Sequence, residues 1–311
     1  MQTSLQKNSV TSAPSSGHTS VLLQEVLEGF GITPDSVVVD ATIGGAGHMR
    51  VFAEKLGAAG VLVGIDADDQ AVARAREALA DAIPTVHLVQ GNFRHIKEHV
   101  TSLSIPQVDY VLFDLGWSGY QLESGRGFSF TSDEPLVMTY ASADEDVMTA
   151  YDLLHTLSKE QLADIIFAYG EERFARRIAE RIVTERTVAP ITTAAALAQV
   201  VKRAVPVWYR HRRTHPATKT FQALRIAVND ELDALRDALA GGLDILAPGG
   251  RMALITFHSI EDRIVKRTFE RFQQDGKGVV QTRKPIAPSK EEVEQNPRAR
   301  SAKLRIFEKT I

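Results

Sequence analysis

The sequence predicts an α/β protein: a doubly wound, mostly parallel β-sheet with an inserted α-helical domain. Three observations support this fold class. Short runs of β-branched and other apolar residues alternate with amphipathic helical segments, as expected of a sheet covered by helices on both faces. A glycine-rich turn follows the first apolar run and opens a helix. From residue 138 to residue 205 the alternation stops, and only helical periodicity remains.

The first strand and its turn form the stretch V-V-V-D-A-T-I-G-G-A-G-H at residues 37–48. Glycines in such a turn let the backbone approach a ligand, because they carry no Cβ that would clash. A second strand over 60–65 leads into Asp66, about 20 residues past the loop, where an acid commonly binds ribose hydroxyls. Glycines also form plain turns, but the ordered set of strand, Asp40, loop, helix, strand and Asp66 predicts a cofactor site.

The first half of the chain supplies the other parts of the sheet. A helix over 18–30, with Thr19 or Ser20 as its cap, precedes the first strand. Helices follow at 47–56 and 69–79, and strands at 85–90 and 108–115. Phe93 comes just after the third strand, where it packs either on an adenine or in the core. Asp114 lies at the end of the fourth strand, and ligands bind at such strand ends. We therefore expect the loop, Asp66, Phe93 and Asp114 on one rim.

The second half is mainly helical before it returns to the sheet. Helices are predicted at 147–157, 159–169, 171–185 and 192–204, with Ser158 and Thr192 as caps. A long helix over 221–246, a strand over 250–257, a helix over 261–272 and closing strands at 279–282 and 303–307 follow, with a surface loop between the closing strands. We expect a disordered tail at 1–17, a sheet domain at 18–137 and 206–311, and a substrate-recognition domain at 138–205.

Composition narrows the class of protein. The chain has 311 residues, a formal net charge of −3 and no cysteine, which excludes disulfides, thiolate metal sites and thiol nucleophiles. No metal site is expected. The weak negative charge provides no global attraction for nucleic acid, so any RNA binding needs local basic patches. No apolar run is long enough for a membrane span, and the first residues lack the apolar core of a signal peptide. We expect a cytoplasmic protein.

The turn favours one kind of cofactor. Its spacing differs from the G-x-G-x-x-G of dinucleotide sites, and Asp40 before the turn would repel a pyrophosphate. The same carboxylate suits a cofactor that carries an ammonium and a sulfonium. S-adenosylmethionine fits, with Asp40 or nearby backbone at its amino-acid end and Asp66 at its ribose. The D-x-T-x-G-x-A-G run resembles the first motif of class I methyltransferases, with Thr42 and Ala46 where glycines are commoner.

The loop after the fourth strand is the predicted place of the chemistry. Methyl transfer from a sulfonium needs positioning more than acid–base catalysis. An exocyclic base amine is a poor nucleophile, so an acceptor commonly orients it while an aromatic ring stacks on the base. The segment 114–120 offers Asp114, Trp117 and Tyr120 at the correct strand end. Asp114 and Trp117 are the catalytic candidates, and the alternative is that the aromatic rings only pack against the loop.

A basic cluster lies between the helical region and the returning sheet. Aromatic and histidine side chains are interleaved with it, a mixture that suits single-stranded RNA because phosphates are neutralised and bases stack. A solvated surface is the alternative interpretation. The candidate RNA-binding residues in this stretch are Arg210, Arg212 and Arg213, and Lys219 and Arg263 in later segments are added to them.

A series of long motifs identifies a family. In order, the chain contains H-T-S-V-L-L-Q-E-V, D-A-T-I-G-G-A-G-H, G-I-D-A-D, G-N-F, D-L-G-W-S, Q-L-E-S-G-R-G-F-S-F, Y-G-E-E-R-F-A-R-R-I-A, H-P-A-T-K-T-F-Q-A-L-R-I-A-V-N-D-E-L, L-A-P-G-G-R, F-H-S-I-E-D-R-I-V-K and N-P-R-A-R-S-A-K-L-R. With these motifs it resembles the small-subunit ribosomal RNA methyltransferase H family over nearly its whole length, from His18 to Phe307.

The resemblance implies a class I methyltransferase sheet with an inserted helical domain. It implies methyl transfer from S-adenosylmethionine to N4 of a cytidine in the decoding centre of 16S rRNA. The partner is then 16S rRNA in the small ribosomal subunit, without DNA or membrane, and the oligomeric state stays open. The segment F-H-S-I-E-D-R is implied to lie by the active cleft. The implied cofactor residues, beside Asp40, Gly44 and Gly45, are Ala46, Gly47, His48, Asp66, Phe93, Asp114 and Gln121.

The sequence departs from the family in two places. After G-F-S-F the family continues with a pattern like P-L-D-M-R-M-D, whereas residues 135–141 read P-L-V-M-T-Y-A and lack two acids and an arginine. The loop after Trp117 reads S-G-Y-Q instead of S-S-P-Q. How the acceptor base is held therefore stays open. Two alternatives follow: a methyltransferase for another RNA or a small molecule, and a non-catalytic ribosome assembly factor, against which the intact cofactor positions argue.

Overall fold

The computed structural model describes residues 20–116, 122, 124–140 and 147–310. A seven-stranded sheet has the order β3-β2-β1-β4-β5-β7-β6. β1 to β5 are parallel, and β7 lies antiparallel between β5 and β6. The predicted doubly wound, mostly parallel sheet is confirmed. The strands are β1 Val37–Asp40, β2 Val61–Asp66, β3 Thr85–Gln90, β4 Val108–Asp114, β5 Leu246–Thr256, β6 Gly278–Val280 and β7 Lys303–Lys309.

The order of the strands reverses beside β1. The chain builds outward from β1 to β2 and β3, and then returns to place β4 on the other side of β1. Just past the end of β1, Ala41 N–H donates to the carbonyl of Leu112 on β4 (2.9 Å). The carboxyl ends of β1, β2 and β4 therefore share one rim, with a crevice at the switch point between β1 and β4 where such sheets bind ligands.

Helices cover the sheet and form most of the segment between β4 and β5. Within the described residues the α-helices are α1 Leu23–Phe30, α2 Gly47–Lys55, α3 Asp69–Ala78, α4 Ile96–Ser102, α5 Ala150–Thr156, α6 Lys159–Gly170, α7 Ala175–Val188, α8 Ala194–Ala204, α9 Val207–Arg210, α10 Thr218–Asn229, α11 Glu231–Ile245, α12 Ser259–Gln274 and α13 Lys290–Gln295. None of these helices has both the length and the apolar composition needed to cross a lipid bilayer.

Several predicted helix ends are wrong for local backbone reasons. Helix α1 begins after Leu22, which has a left-handed backbone (φ 53°) and no side-chain cap, so Ser20 does not cap it. Thr19 and the predicted tail at 1–17 lie outside the described residues. Thr193, not Thr192, caps α8. The predicted cap Ser158 is confirmed, because its side chain and that of Gln161 form a reciprocal capping box at the start of α6.

Two predicted helices differ from those in the structure: one is divided in two, and the other begins later. The single helix expected over 221–246 is α10 followed by α11, because Asp230 adopts a left-handed backbone (φ 47°) between them. Aspartate tolerates this conformation better than most residues, while the apolar periodicity continues across the break. The helix expected from residue 171 begins only at Ala175. Glu171 is itself left-handed (φ 49°) and ends α6.

The helical region between β4 and β5 has its own hydrophobic core. Leu154, Leu162, Ile178 and Leu197 are buried in it, so the helices pack on one another. The predicted inserted helices are therefore present. The same core also contains residues on both sides of the predicted 138–205 segment, namely Phe128, Leu136, Tyr209, Ala217, Phe221 and Leu224.

The segment between β6 and β7 is structured, so the predicted surface loop is wrong. Ser289 caps α13 by accepting from Glu292 N–H (3.0 Å), and a 3₁₀ turn, Pro297–Ser301, follows. The Glu292 carboxylate also accepts from Leu22 N–H (2.7 Å), which ties this segment to the start of the described chain. The proline and the short polar helix gave the segment a loop-like composition.

Candidate active site

A cavity of about 420 Å³ opens above the shared rim of β1, β2 and β4. The glycine loop forms one wall, and the ends of β2 and β4 form the floor. Residues from both ends of the described chain complete the cavity. The predicted cofactor residues that line it are Gly44, Gly45, Gly47, His48, Asp66, Phe93 and Asp114. Most of the cofactor residues predicted from their positions in the loop and at strand ends therefore lie around one cavity.

Hydrogen bonds to two aspartates, Asp40 at the end of β1 and Asp66 at the end of β2, fix the backbone of the glycine loop. Gly44 has a left-handed backbone (φ 51°), which glycine adopts without steric cost, and its N–H donates to Asp66 Oδ2 (2.8 Å). Thr42 N–H donates to Asp40 Oδ1 (3.1 Å). A Cβ at Gly47 would lie 2.1 Å from Ser20 Oγ, so any larger residue there would require the Ser20 hydroxyl to move.

Two predicted cofactor residues lie behind the loop instead of in the cavity. Asp40 is 1% exposed and does not line the cavity. Ala46 is fully buried, has a left-handed backbone (φ 58°) and comes immediately before α2. Both residues shape the loop from below. Gln121 and Trp117 fall outside the described residues.

Asp66 has the geometry of a hydroxyl acceptor. Its Oδ2 accepts from Gly44 N–H, and its Oδ1 accepts from Asp68 N–H (2.9 Å). Each carboxylate oxygen keeps a second lone pair that can accept from a ligand. Burial raises the pKa of Asp66 to about 6, against the opposing effect of these two backbone bonds. Ligand binding at this carboxylate should therefore weaken in mild acid.

Asp114 ends β4 and faces the cavity. Its backbone N–H donates to Thr42 Oγ1 (2.7 Å), which fixes the strand end against the loop. Its Oδ1 is buried and has no hydrogen-bond partner among the described residues. Burial, followed by the nearby Glu261 carboxylate, raises the pKa of Asp114 to about 7. A buried acceptor left without a protein partner at a cavity wall is suited to a ligand donor.

His48 lies beside this carboxylate. Its imidazole is 5% exposed, with Nε2 at 3.2 Å from the carbonyl of Val21 and Nδ1 at 3.7 Å from Asp114 Oδ2. A carbonyl oxygen only accepts, so the Nε2 contact is a hydrogen bond when that nitrogen carries the proton. His48 therefore connects the segment before α1 to the acid at the end of β4.

Sequence reasoning missed Tyr140 as a cavity residue. It belongs to the segment that departs from the family pattern, and its side chain lines the cavity. Its N–H donates to Asn229 Oδ1 (2.8 Å), and its hydroxyl donates to Glu231 Oε1 (3.2 Å). Arg225 donates to both oxygens of Glu231 at 2.8 Å. A buried ion pair between α10 and α11 thus holds the tyrosine in place.

Other missed lining residues come from distant segments: Ser20, Val21, Gln295, Asn296, Pro297 and Arg298. The motif N-P-R-A-R was the available signal for the last of these, because Asn296 caps the 3₁₀ turn and proline suits its first position. Phe257 begins the F-H-S-I-E-D-R segment, so the expectation that this segment lies by the cleft is confirmed for its first residue.

One group of side chains has the donor types of a metal site. Ligand atoms of Glu231, His258 and Glu261 lie within 4.8 Å of one another. Arg225 already binds both oxygens of Glu231, and Glu261 Oε2 accepts from the backbone N–H groups of Phe257 and His258. These hydrogen bonds account for the carboxylates as part of the structural network beneath Tyr140.

The predicted RNA-binding residues are not all equally free to contact a ligand. Arg210 donates to the carbonyls of Val205 (3.1 Å) and Arg203 (3.4 Å). Arg212 and Arg213 are exposed. The last two candidates converge on one residue: Lys219 Nζ donates to the Glu171 carbonyl, and Arg263 Nη2 pairs with the Glu171 carboxylate, each at 2.7 Å.

The fold and the rim residues together define a class of protein. The strand order with an antiparallel β7, the glycine loop after β1 and the acids ending β2 and β4 are those of a class I methyltransferase fold. A model of the MraW methylase family matches residues 15–310. The chain therefore belongs to the MraW methylase family.

Three relatives, each named "Ribosomal RNA small subunit methyltransferase H", show how close the similarity is. The Brevibacillus brevis protein is 47% identical over 308 residues, which cover 94% of this chain and 98% of that one. The Deinococcus radiodurans protein is 46% identical over 307 residues, with 98% and 93% covered. The Clostridioides difficile protein is 43% identical over 308 residues, with 94% and 98% covered.

Proposed function

We propose that this protein transfers a methyl group from S-adenosylmethionine to N4 of a cytidine in 16S rRNA of the small ribosomal subunit. Family membership and the shared name of the relatives support the class of substrate. The observation that carries the chemistry is Asp114, which lines the cavity with a side chain that is 19% exposed and whose buried Oδ1 has no partner among the described residues. A ribosomal substrate makes the cytoplasm the place of action.

The residues present fit this cofactor. The cavity volume of about 420 Å³ is in the range of sites for ligands of this size. Among the residues that line the cavity, Asp66 would accept hydrogen bonds from the ribose hydroxyls, Phe93 would pack on the adenine, and the backbone of the glycine loop would hold the amino-acid end. The ring of Phe93 also makes an edge contact with Phe113 (6.0 Å between centroids), which fixes its orientation. When bound, the cofactor supplies an electrophilic methyl group on a sulfonium.

Asp114 orients the nucleophile and removes its proton. The carboxylate accepts a hydrogen bond from the N4 amine, which aims the nitrogen lone pair at the methyl carbon. Because the nitrogen gains positive charge when it accepts the methyl group, the Asp114 carboxylate would stabilise the transition state more than the ground state. The amine proton then passes to Asp114. Its pKa of about 7 suits a group that is ionised before the step and protonated after it.

The acceptor base is held by residues around this carboxylate. Trp117 is proposed to stack on the cytosine, since it follows Asp114 by three positions. Tyr140 from the altered segment lines the same cavity, so it is proposed to contact the base. Asp40 and Ala46 shape the loop, and Gln121 is proposed to contact the cofactor.

The inserted helical region, predicted at 138–205, is proposed to recognise the RNA. Arg212 and Arg213 are exposed and are proposed to contact phosphates. Arg210, Lys219 and Arg263 already bind protein groups, so their proposed effect on RNA comes through the surfaces that they hold in place.

The testing experiment transfers labelled methyl from S-adenosylmethionine to naked 16S rRNA and to small ribosomal subunits, and identifies the product nucleoside. We expect N4-methylcytidine. Label in another nucleoside, or in a small molecule from a cell extract, would favour the other methyltransferase alternative. Tight binding to the subunit without any label transfer would favour the assembly factor. Asp114→Asn serves as the inactive control, because it retains the size of the side chain.

A further inference from the structure

Arginine and aromatic side chains from two distant segments meet on one exposed surface. Arg173, Phe174 and Arg177 lie at and before the start of α7, and Trp208 lies in α9. The Arg173 guanidinium is 5.3 Å from the ring centre of Phe174 and 5.7 Å from that of Trp208. Arg177 lies 6.0 Å from the Phe174 ring. We call these four residues, together with Tyr209 and Arg212, the arginine–aromatic surface.

A buried hydrogen bond fixes the two segments relative to each other. Tyr209 donates to Glu172 Oε2 (2.6 Å), and both side chains are buried. The other oxygen of Glu172 accepts from Phe174 N–H (2.9 Å). The Phe174 ring then meets Tyr209 edge to face, with centroids 5.0 Å apart. The surface is therefore preorganised, and its exposed groups do not pay the full cost of ordering when a ligand binds.

The exposed part of the surface is aromatic and positively charged. Trp208 is 56% exposed, and its neighbour Val207 is 63% exposed. Arg173, Arg177 and Arg212 are exposed, and none of the three forms an ion pair with any residue in the described ranges. Arg212 lies 5.3 Å from the Tyr209 ring centre, on the same cluster of rings. Positive charge that no carboxylate of the described residues neutralises favours an anionic ligand.

We infer that a single-stranded stretch of RNA binds the arginine–aromatic surface, with a base stacked on Trp208 and phosphates facing Arg173, Arg177 and Arg212. This inference rests on the proposed function and specifies where the RNA around the target nucleotide is held. Exposed rings that stack bases beside arginines that neutralise phosphates are the recognition chemistry of single strands. An acidic protein partner would satisfy the charges but would not need an accessible ring face.

A chain of contacts connects this surface to the cavity. Phe257 lines the cavity, and Ser259 two residues later donates to Glu171 Oε2 (2.7 Å). Glu171 is in turn two residues from Arg173. Each two-residue step spans at most about 7 Å. The surface therefore lies close enough for nucleotides next to the methylated cytidine to reach it.

Tryptophan fluorescence gives a direct test. The chain has two tryptophans, so a Trp117→Phe background leaves Trp208 as the reporter. We expect a single-stranded oligonucleotide that spans the methylated region to quench this fluorescence, and a duplex of the same sequence to quench it much less. Absence of quenching at concentrations where the RNA is bound would overturn the inference.

Substitutions then separate stacking from charge. In the otherwise unaltered protein, Trp208→Ala should weaken RNA binding roughly 5- to 150-fold, and Trp208→Phe should restore most of the affinity. At saturating RNA, kcat for methyl transfer should be unchanged in Trp208→Ala, so the loss appears in KM. The Arg173→Gln/Arg177→Gln double variant should reduce the log–log salt slope by about 1.4. Arg236→Gln, an exposed arginine on α11 that pairs with Asp233, is the matched control.

The outcomes distinguish this inference from the proposed function. Parent-like RNA affinity and salt slope in both variants overturn the inference while methyl transfer by the parent upholds the function. RNA that quenches Trp208 in the Trp117→Phe protein but receives no methyl group from the parent protein upholds the inference and overturns the function. Self-association that Trp208→Ala abolishes, with RNA affinity unchanged, would assign the surface to a protein contact and overturn the inference.

Discussion

His48 Nδ1 and Asp114 Oδ2 lie 3.7 Å apart at the wall of the cavity. The other ring nitrogen of His48 lies 3.2 Å from a carbonyl oxygen that can only accept, so the neutral imidazole that donates there presents an unprotonated Nδ1 to the carboxylate. In this tautomer His48 donates no hydrogen bond to Asp114. The carboxylate therefore remains available to the acceptor amine, and the imidazole limits where it can move.

We predict that Asp114→Asn lowers kcat about 10²-fold or more, in line with other single electrostatic groups in active sites. The amide keeps a carbonyl acceptor but loses the charge and cannot take the amine proton. Single-turnover methyl transfer with both substrates saturating measures the chemical step. RNA affinity should change little. Asp244→Asn, an exposed acid paired with Lys97, is the control and should react at the parent rate. A parent rate in Asp114→Asn would make Asp114 structural.

The same substitution should stabilise the ligand-free protein at alkaline pH. The folded-state pKa of Asp114 is about 7, above its ordinary value of 3.8, so the folded state holds this proton more tightly than the unfolded chain. The contribution of Asp114 to stability is thus greatest below pH about 4 and falls as pH rises to about 7. At pH 8, the free energy of unfolding of Asp114→Asn should exceed that of the parent by roughly 1–2 kcal/mol. This is less than the full pKa shift would give, because 19% of the side chain is exposed and solvent screens its charge.

Thermal unfolding at pH 5 and pH 8 measures this effect. The melting temperature of Asp114→Asn should be higher than that of the parent at pH 8, and this difference should be smaller at pH 5. An equal change in melting temperature at both values would remove the titration of Asp114 as its cause.

We predict that Asp66→Ala weakens S-adenosylmethionine binding about 10- to 150-fold, because a charged acceptor for two hydroxyls is lost. Parent affinity should also fall as pH drops below about 6, the raised pKa of Asp66, since a protonated carboxyl accepts fewer hydrogen bonds. Titration calorimetry over pH 5 to 8 measures both effects. Asp81→Ala, an exposed acid after α3, is the matched control. Unchanged affinity in folded Asp66→Ala would reject the ribose assignment.

A fourth prediction divides the basic run at 210–213. Arg212 and Arg213 are exposed, so their joint change to Gln should reduce the salt slope of RNA binding by about 1.4. Arg210 donates to two backbone carbonyls, so Arg210→Gln should lower thermal stability and leave the slope nearly unchanged. The affinity for S-adenosylmethionine should be unchanged in both variants. A slope that depends only on Arg210 would contradict this division.

The sequence predicted the parts of the site that lie in the glycine loop and at the carboxyl ends of the parallel strands. Apolar periodicity located β1, β2 and β4, and in a parallel sheet their carboxyl ends must share a rim, so Asp66 and Asp114 could be placed together without a structure. The glycines predicted the loop, because glycine adopts a left-handed backbone such as that of Gly44 without steric cost. Gln121 and Trp117 stay predictions, since they fall outside the described residues.

The parts that sequence could not predict depend on contacts between distant segments. Asn296 and Arg298 reach the cavity only because the segment before β7 returns to the front of the sheet. Arg173 and Trp208 meet through the Tyr209–Glu172 hydrogen bond, which no local pattern indicates. The break at Asp230 is invisible to periodicity, because one left-handed residue turns the chain without altering the apolar pattern.

The hydrogen bond between Leu22 N–H and the Glu292 carboxylate has a consequence for biosynthesis. It joins the first described helix to the segment that finishes the cavity, and the ribosome synthesises these two pieces about 270 residues apart. Val21 and Arg298 therefore line the same cavity only after almost the entire chain has left the exit tunnel. A nascent or truncated chain has the glycine loop and Asp66 but lacks part of the enclosing wall. Enclosure of the cavity thereby depends on residues that are synthesised late, whereas the glycine loop and Asp66 do not.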